Sequence, residues 1–260
     1  MINKNIIKME LRRSFKSFLI WSIAMSVTMY LIVALYPVVG DMYSALPEEF
    51  MKYFGGLPKN IIEYFGMEGA MMLQLMGSIY AVILGFNAIN REFNELSIDT
   101  IYSLPISRSK FYINKLIASS IQIIGFMIIN ILFVILGFVT ANEVPHLGTF
   151  FAFMAVNTLL LLMMLALGFA LAVIVKRGVK SMVSLAIPLP LYIIFFVYQL
   201  SDNKFLGYLK HITPFSFADS AYFFQEDIEF AWISLIVFSV LSIVSLVYSY
   251  KVFKNKDLLI

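Results

Sequence analysis

The sequence predicts an all-α integral membrane protein that crosses the bilayer six times, and three observations carry that prediction. Of 260 residues, 61% are hydrophobic and only 13% charged, with a mean hydropathy of +0.88. Soluble domains run about 45–50% apolar and about 25% charged, so lipid must be part of this chain's solvent. Six largely uncharged stretches follow one another, each near the roughly 20 residues needed to cross the hydrocarbon. Finally, most of the 19 Lys and Arg residues collect in alternate connecting segments, as expected when one side of the membrane is cytoplasmic.

The N-terminal stretch carries Lys4, Lys8, Arg12, Arg13 and Lys16 interleaved with Ile6, Ile7, Met9, Leu11 and Phe15. Apolar residues recur at roughly helical spacing, and no cleavage site follows a short apolar core. Residues 1–16 read as an amphipathic interfacial helix, or as a positive tail that only sets topology. The spans are then about 17–39, 69–89, 116–140, 149–175, 182–200 and 230–250. Pro188 and Pro190 interrupt the fifth, either to let it bend or because helix bundles tolerate proline.

Arg91, Arg108, Lys110 and Lys115 follow the second span; Lys176, Arg177 and Lys180 follow the fourth; Lys251, Lys254 and Lys256 follow the sixth. With the N-terminal five they define a cytoplasmic side that holds both termini. Lys52, Lys59, Lys204 and Lys210 are left for the outside. Two outer segments exceed simple turns. Residues 40–68 are acidic, and residues 201–229 are rich in aromatics, which suits a re-entrant or interfacial segment before the sixth span.

No cysteine is present, which excludes disulfides, thiolate metal sites and cysteine nucleophiles. Both histidines, His146 and His211, fall in outer loops, and the acid pair Glu48–Glu49 is external with no histidine at ligand spacing. No catalytic residue and no metal site is expected. No G-x-x-x-x-G-K-[ST] phosphate loop occurs; Gly178-Val179-Lys180-Ser181 lacks the upstream glycine. Gln74, Asn87, Gln122, Asn130, Asn157 and Gln199 lie in or near spans, where polar side chains either bond helices together or line a path. The first five are the candidate substrate path. With no charge near a span centre, the pattern suits amphipathic or apolar cargo rather than ion coupling.

The loop over residues 90–115 is the most informative stretch. Phe93, Leu96, Thr100, Ile101 and Leu104 share one helical face, while Glu92, Glu95 and Asp99 share another. Pro105 ends that helix, and Ser107 stands where an N-cap would start the next. An acidic residue followed by Leu96-Ser97-Ile98-Asp99 and then Leu104-Pro105-Ile106-Ser107-Arg108 resembles the cytoplasmic loop of ABC-2 type transporter permeases. Leu96 stands where that family usually has glycine, Ser97 where it favours threonine and Asp99 where it favours glutamate.

The resemblance implies a single transmembrane domain over 1–260 and a cytoplasmic coupling helix between spans two and three. It implies that Glu92, Glu95, Leu96, Asp99, Leu104, Pro105, Ser107 and Arg108 engage a separate cytoplasmic ATPase. ATP and Mg would be bound by that partner, with no cofactor in this chain. It further implies a second permease subunit, identical or not, and membrane lipid as neighbour, with no nucleic acid. The expected role is an exporter, with an amphipathic peptide such as a toxin or antimicrobial as favoured cargo. A membrane sensor or immunity protein that binds peptide without moving it is the rival reading.

Overall fold

A computed structural model describes residues 2–44, 58–94, 107–176, 179–199, 204–225 and 228–255. Among these residues the chain is helical, without strands, and six helical stretches are long and apolar enough to cross a membrane. The first, α1 (Lys4–Ala34), is capped by Asn3, whose side chain accepts from the Asn5 N–H. The basic amphipathic stretch and the first span therefore form one helix of 31 residues, unbroken at residue 17. It ends at Leu35, before a short helix over Tyr36–Ser44.

The second span starts earlier than hydropathy alone suggests. A helical turn at Ile61–Tyr64 and a π-helical turn at Phe65–Ala70 lead into α2 (Met71–Asn94). Next, α3 runs over Arg108–Thr140, 33 residues. Its C-terminus is closed by Asn142, which takes a left-handed φ of 57°. The Asn142 and Glu143 N–H groups return to the Val139 and Phe138 carbonyls, satisfying groups that lipid could not. His146 then caps α4 (Leu147–Ile174) by accepting from the Thr149 N–H.

In the fifth span, a 3₁₀ stretch at Ser181–Ala186 gives way at Ile187 to α5 (Pro188–Gln199). The break falls just before Pro188, whose ring has no N–H to continue the ladder. Pro190, in the first turn of α5, forfeits a bond that would not form there anyway. The sixth span is α6 (Trp232–Asn255).

Two helix pairs dominate the packing: α1 lies along α3, and α2 along α4, with α6 packed against α4. The α2–α4 contact is a backbone contact. A Cβ at Gly85 would collide with the Leu165 carbonyl, and one at Gly168 with the Val82 carbonyl. Such mutual glycines let two helices approach more closely than side chains permit. Ring contacts of Tyr80 with Trp21 (centroids 5.7 Å apart) and with Phe126 (5.1 Å) join the two pairs in mid-bundle.

Substituting Gly85→Leu or Gly168→Leu should therefore cost about 1–3 kcal/mol through overpacking. Thermal unfolding in detergent, followed by intrinsic fluorescence, should show a lowered midpoint for both. Gly40→Ala, at a position with nothing within 4 Å of a new Cβ, should leave the midpoint unchanged.

Candidate functional site

The site is built around the two ends of the loop between α2 and α3. Its first described flank is the last turn of α2. There Asn90, 3% exposed, donates through Nδ2 to the Val179 carbonyl at 2.8 Å, tying the segment between spans four and five to this end of the bundle. Glu92 lies within α2, its side chain outside the described residues, as are Glu95, Leu96, Asp99, Leu104 and Pro105. The chain resumes at Ser107. Its side chain accepts from the Lys110 N–H at 3.4 Å, so the expected N-cap is found where the sequence placed it.

From that cap onward, α3 is pinned on two sides. Toward α6, Arg108 Nη1 donates to the Lys254 carbonyl at 3.4 Å, the Tyr250 hydroxyl donates to Ser109 Oγ at 3.0 Å, and the Tyr112 hydroxyl pairs with Ser249 Oγ at 2.6 Å. Toward α1, Asn114 Oδ1 accepts from the Asn3 N–H at 2.7 Å. Lys115 Nζ donates to Glu10 Oε1 at 2.9 Å, and Gln122 Nε2 donates to Ser14 Oγ at 2.7 Å. The ion pair is buried: Lys115 is 1% exposed and Glu10 8%. The Phe111 ring centroid stands 4.7 Å from the ammonium, and Arg13 Nη1 lies 4.0 Å from the same carboxylate oxygen.

Helix length explains how charge is tolerated here. At 1.5 Å per residue, α1 spans about 46 Å and α3 about 50 Å, against about 30 Å of hydrocarbon. Both helices must project beyond the apolar slab. Glu10 lies about 10 Å before the uncharged run that begins at Ser17. The pair thus occupies the projecting portion, shielded by protein and not by lipid.

At the opposite end, Thr213–Asp219 tucks among α4, α5 and α6 and is buried throughout. Thr213 Oγ1 donates to the Leu191 carbonyl at 2.8 Å, and Ser234 Oγ donates to the Thr213 carbonyl at 2.7 Å. Phe215 packs edge-on against Tyr192, with centroids 5.1 Å apart. Asp219 accepts from the Ala221 N–H at 3.0 Å and from Gln199 Nε2 at 3.1 Å. Burial pushes its carboxyl above the ordinary carboxylate value, and those two hydrogen bonds offset the shift only in part.

The span polar residues separate into two kinds. Gln74 Nε2 donates to the Ala218 carbonyl at 2.5 Å and Gln122 donates to Ser14, so both bridge distant elements. Asn130 and Asn157 donate instead to carbonyls of their own helices, Phe126 and Phe153, each at 2.9 Å. Both are buried, whereas Asn87 is half-buried on α2. Sequence reasoning missed the Glu10–Lys115 pair, having assigned Lys115 to loop charge. Glu10 is the lone acid among five bases before Ser17, and Lys115 is followed at once by the apolar run of α3. Those two departures were the available signal.

Six helical stretches long and apolar enough to cross a bilayer define a multi-pass membrane protein. The chain belongs to the ABC-2 family of transporter proteins: the family model for ABC-2 family transporter protein matches residues 4–258. It is thereby a membrane transporter component. No curated protein matches it.

Two outcomes follow from the charges. Glu10→Gln removes the carboxylate from a nearly sealed ion pair and should cost about 3–5 kcal/mol, as breaking a buried pair does. Lys115→Met leaves Glu10 beside Arg13 and should cost less, so thermal midpoints should fall in that order. The folded Asp219 value is raised above its unfolded one, so the native chain holds the proton more tightly. Its contribution to stability is present at low pH and is lost as pH rises through the raised value. Asp219→Asn should flatten that part of a stability–pH curve measured by thermal unfolding.

Proposed function

We propose that this chain is the membrane-spanning permease subunit of an ABC-2 exporter, driven by ATP hydrolysed in a separate cytoplasmic ATPase. The observation that carries the reading is the way the loop's exit is built. A capped helix start at Ser107 is fixed to both α1 and α6 within its first two turns, so force applied to the loop reaches terminal helices without slack. The helix that the sequence predicts in this loop, with Glu92, Glu95 and Asp99 on one face and an apolar edge, suits a basic and apolar cleft, which would supply steering and register. Its acids fit poorly to an anionic membrane surface.

In this reading the end of the bundle that carries the loop, both termini and most of the basic residues faces the cytoplasm. The cargo is amphipathic or hydrophobic, with a peptide toxin or antimicrobial favoured, since the described spans carry no charge at mid-depth. Six spans make half a pathway, and a second permease subunit, identical or not, completes it. Large apolar side chains exposed along α1 and α3, among them Ile20 and Ile128, are left for lipid or for that subunit.

Co-purification in detergent with a co-expressed ABC ATPase of the same cell tests the reading. Wild type should retain the ATPase, and Glu95→Lys with Asp99→Lys should lose it at least tenfold. Wild type that retains no ATPase would overturn the exporter reading in favour of a peptide-binding sensor or immunity protein.

A further inference from the structure

Five bases stand on the N-terminal part of α1, and the structure sorts them by face. Arg13 turns toward Glu10, its Nη1 4.0 Å from the carboxylate. Lys4, Lys8, Arg12 and Lys16 recur every fourth residue along the exposed side, away from Glu10, and none of them makes an ion pair among the described residues. Residues four apart stack one above another on a helix. The row runs on into Ile20, Ile23, Val27 and Leu31, all exposed, while Ile6, Glu10, Ser14, Met25 and Met29 are buried behind it. One face of α1 is thus apolar where it crosses the hydrocarbon and basic where it leaves it. Membrane topology alone does not require that sorting, since the bias of Lys and Arg toward one side counts charges without regard to helix face.

We propose that this row is a docking site for an anionic diacyl phospholipid of the leaflet on the loop's side, its phosphate held by Arg12 and Lys16 and its acyl chains lying along Ile20 and Ile23. At 1.5 Å per residue, Lys16 lies about 2 Å and Arg12 about 8 Å before the uncharged run that begins at Ser17. The headgroup layer is about 5–8 Å deep on each side of the hydrocarbon, so these two side chains reach the phosphates. A guanidinium fork beside an ammonium suits a phosphodiester. Lys8 and Lys4 stand beyond that layer and add attraction to the anionic surface without touching the bound lipid. A second copy of this chain fits the same face poorly. Glu10, the only acid of α1, is buried on the other side, so a two-fold contact here would set bases against bases. The inference goes beyond the permease reading and does not depend on it.

The test reads lipid contact at this face. The full chain with Ile23→Trp as its only tryptophan, Trp21 and Trp232 being replaced by Phe, is reconstituted in phosphatidylcholine vesicles. Fluorescence quenching is compared as brominated phosphatidylglycerol or brominated phosphatidylcholine replaces the host lipid. Phosphatidylglycerol should bind at least about fivefold more tightly, the change that one base near an anionic surface makes. Arg12→Gln with Lys16→Gln should bring the ratio close to one, and Lys4→Gln with Lys8→Gln should lower it less. Lys251→Gln with Lys254→Gln, exposed near the end of α6, should leave it unchanged. All these charges are exposed, so thermal midpoints should match the parent's, which separates lost lipid from lost fold. Equal quenching by the two lipids in the parent, or a phosphatidylglycerol preference that survives the loss of Arg12 and Lys16, would overturn the proposal. So would a tryptophan that neither lipid quenches, because protein, such as a second permease subunit, would then cover the face.

Discussion

In a bilayer, two apolar helix faces gain almost nothing by leaving lipid for each other. Everything else in this bundle follows from that constraint. Helices that must stay together need either backbone approach that lipid cannot imitate or polar partners that lipid cannot supply. The α2–α4 pair uses the first device through Gly85 and Gly168, and the α1–α3 pair combines both, with Gly137 close against Val33 and the Tyr30 carbonyl and polar partners in Glu10–Lys115 and its flanking amides. One device needs only small residues and works at any depth. The other places charge in the chain, and is found where two long helices overshoot the hydrocarbon.

The two ends of the bundle differ accordingly. At the end that carries the loop, polar side chains connect α1, α3 and α6, and the connections begin within one turn of the Ser107 cap. At the other end, the Thr213–Asp219 segment fills the space among α4, α5 and α6, where the Thr213 hydroxyl and the Thr213 and Ala218 carbonyls are bonded to the helices around it. The segment is covered by protein on all sides, and protein supplies the partners its backbone uses. Its buried carboxyl, Asp219, is held by a backbone N–H and a glutamine in place of a cation.

Much of the fold was legible in the sequence, because hydropathy and charge sorting report what lipid requires. All six spans are present, the Ser107 cap is found, and the proline-marked break in the fifth span falls at Ile187. Hydropathy lost the trail where a helix continues beyond the apolar slab. It cut α1 at residue 17 and began the third span at residue 116, although the helices themselves start at Lys4 and Arg108. The ion pair stayed hidden because Glu10 and Lys115 lie in turns that the sequence marks as helical but assigns to the membrane surface and the loop, not to the packed bundle. The glycine contact was equally illegible, since a single sequence shows that Gly85 and Gly168 exist but not that they face each other. Of the predicted coupling residues, Glu95, Leu96, Asp99, Leu104 and Pro105 lie outside the described residues, and their role rests on the family's pattern.

The claim on which the account depends is that the loop meets an ATPase. Its most direct test is a photo-crosslinking amino acid placed at Leu96 in the full chain, expressed together with an ABC ATPase of the same cell and irradiated in native membranes. The account predicts a covalent adduct with the ATPase, whose yield changes when ATP hydrolysis is trapped with vanadate. Adducts with lipid alone, from a chain that is otherwise folded and membrane-inserted, would contradict it.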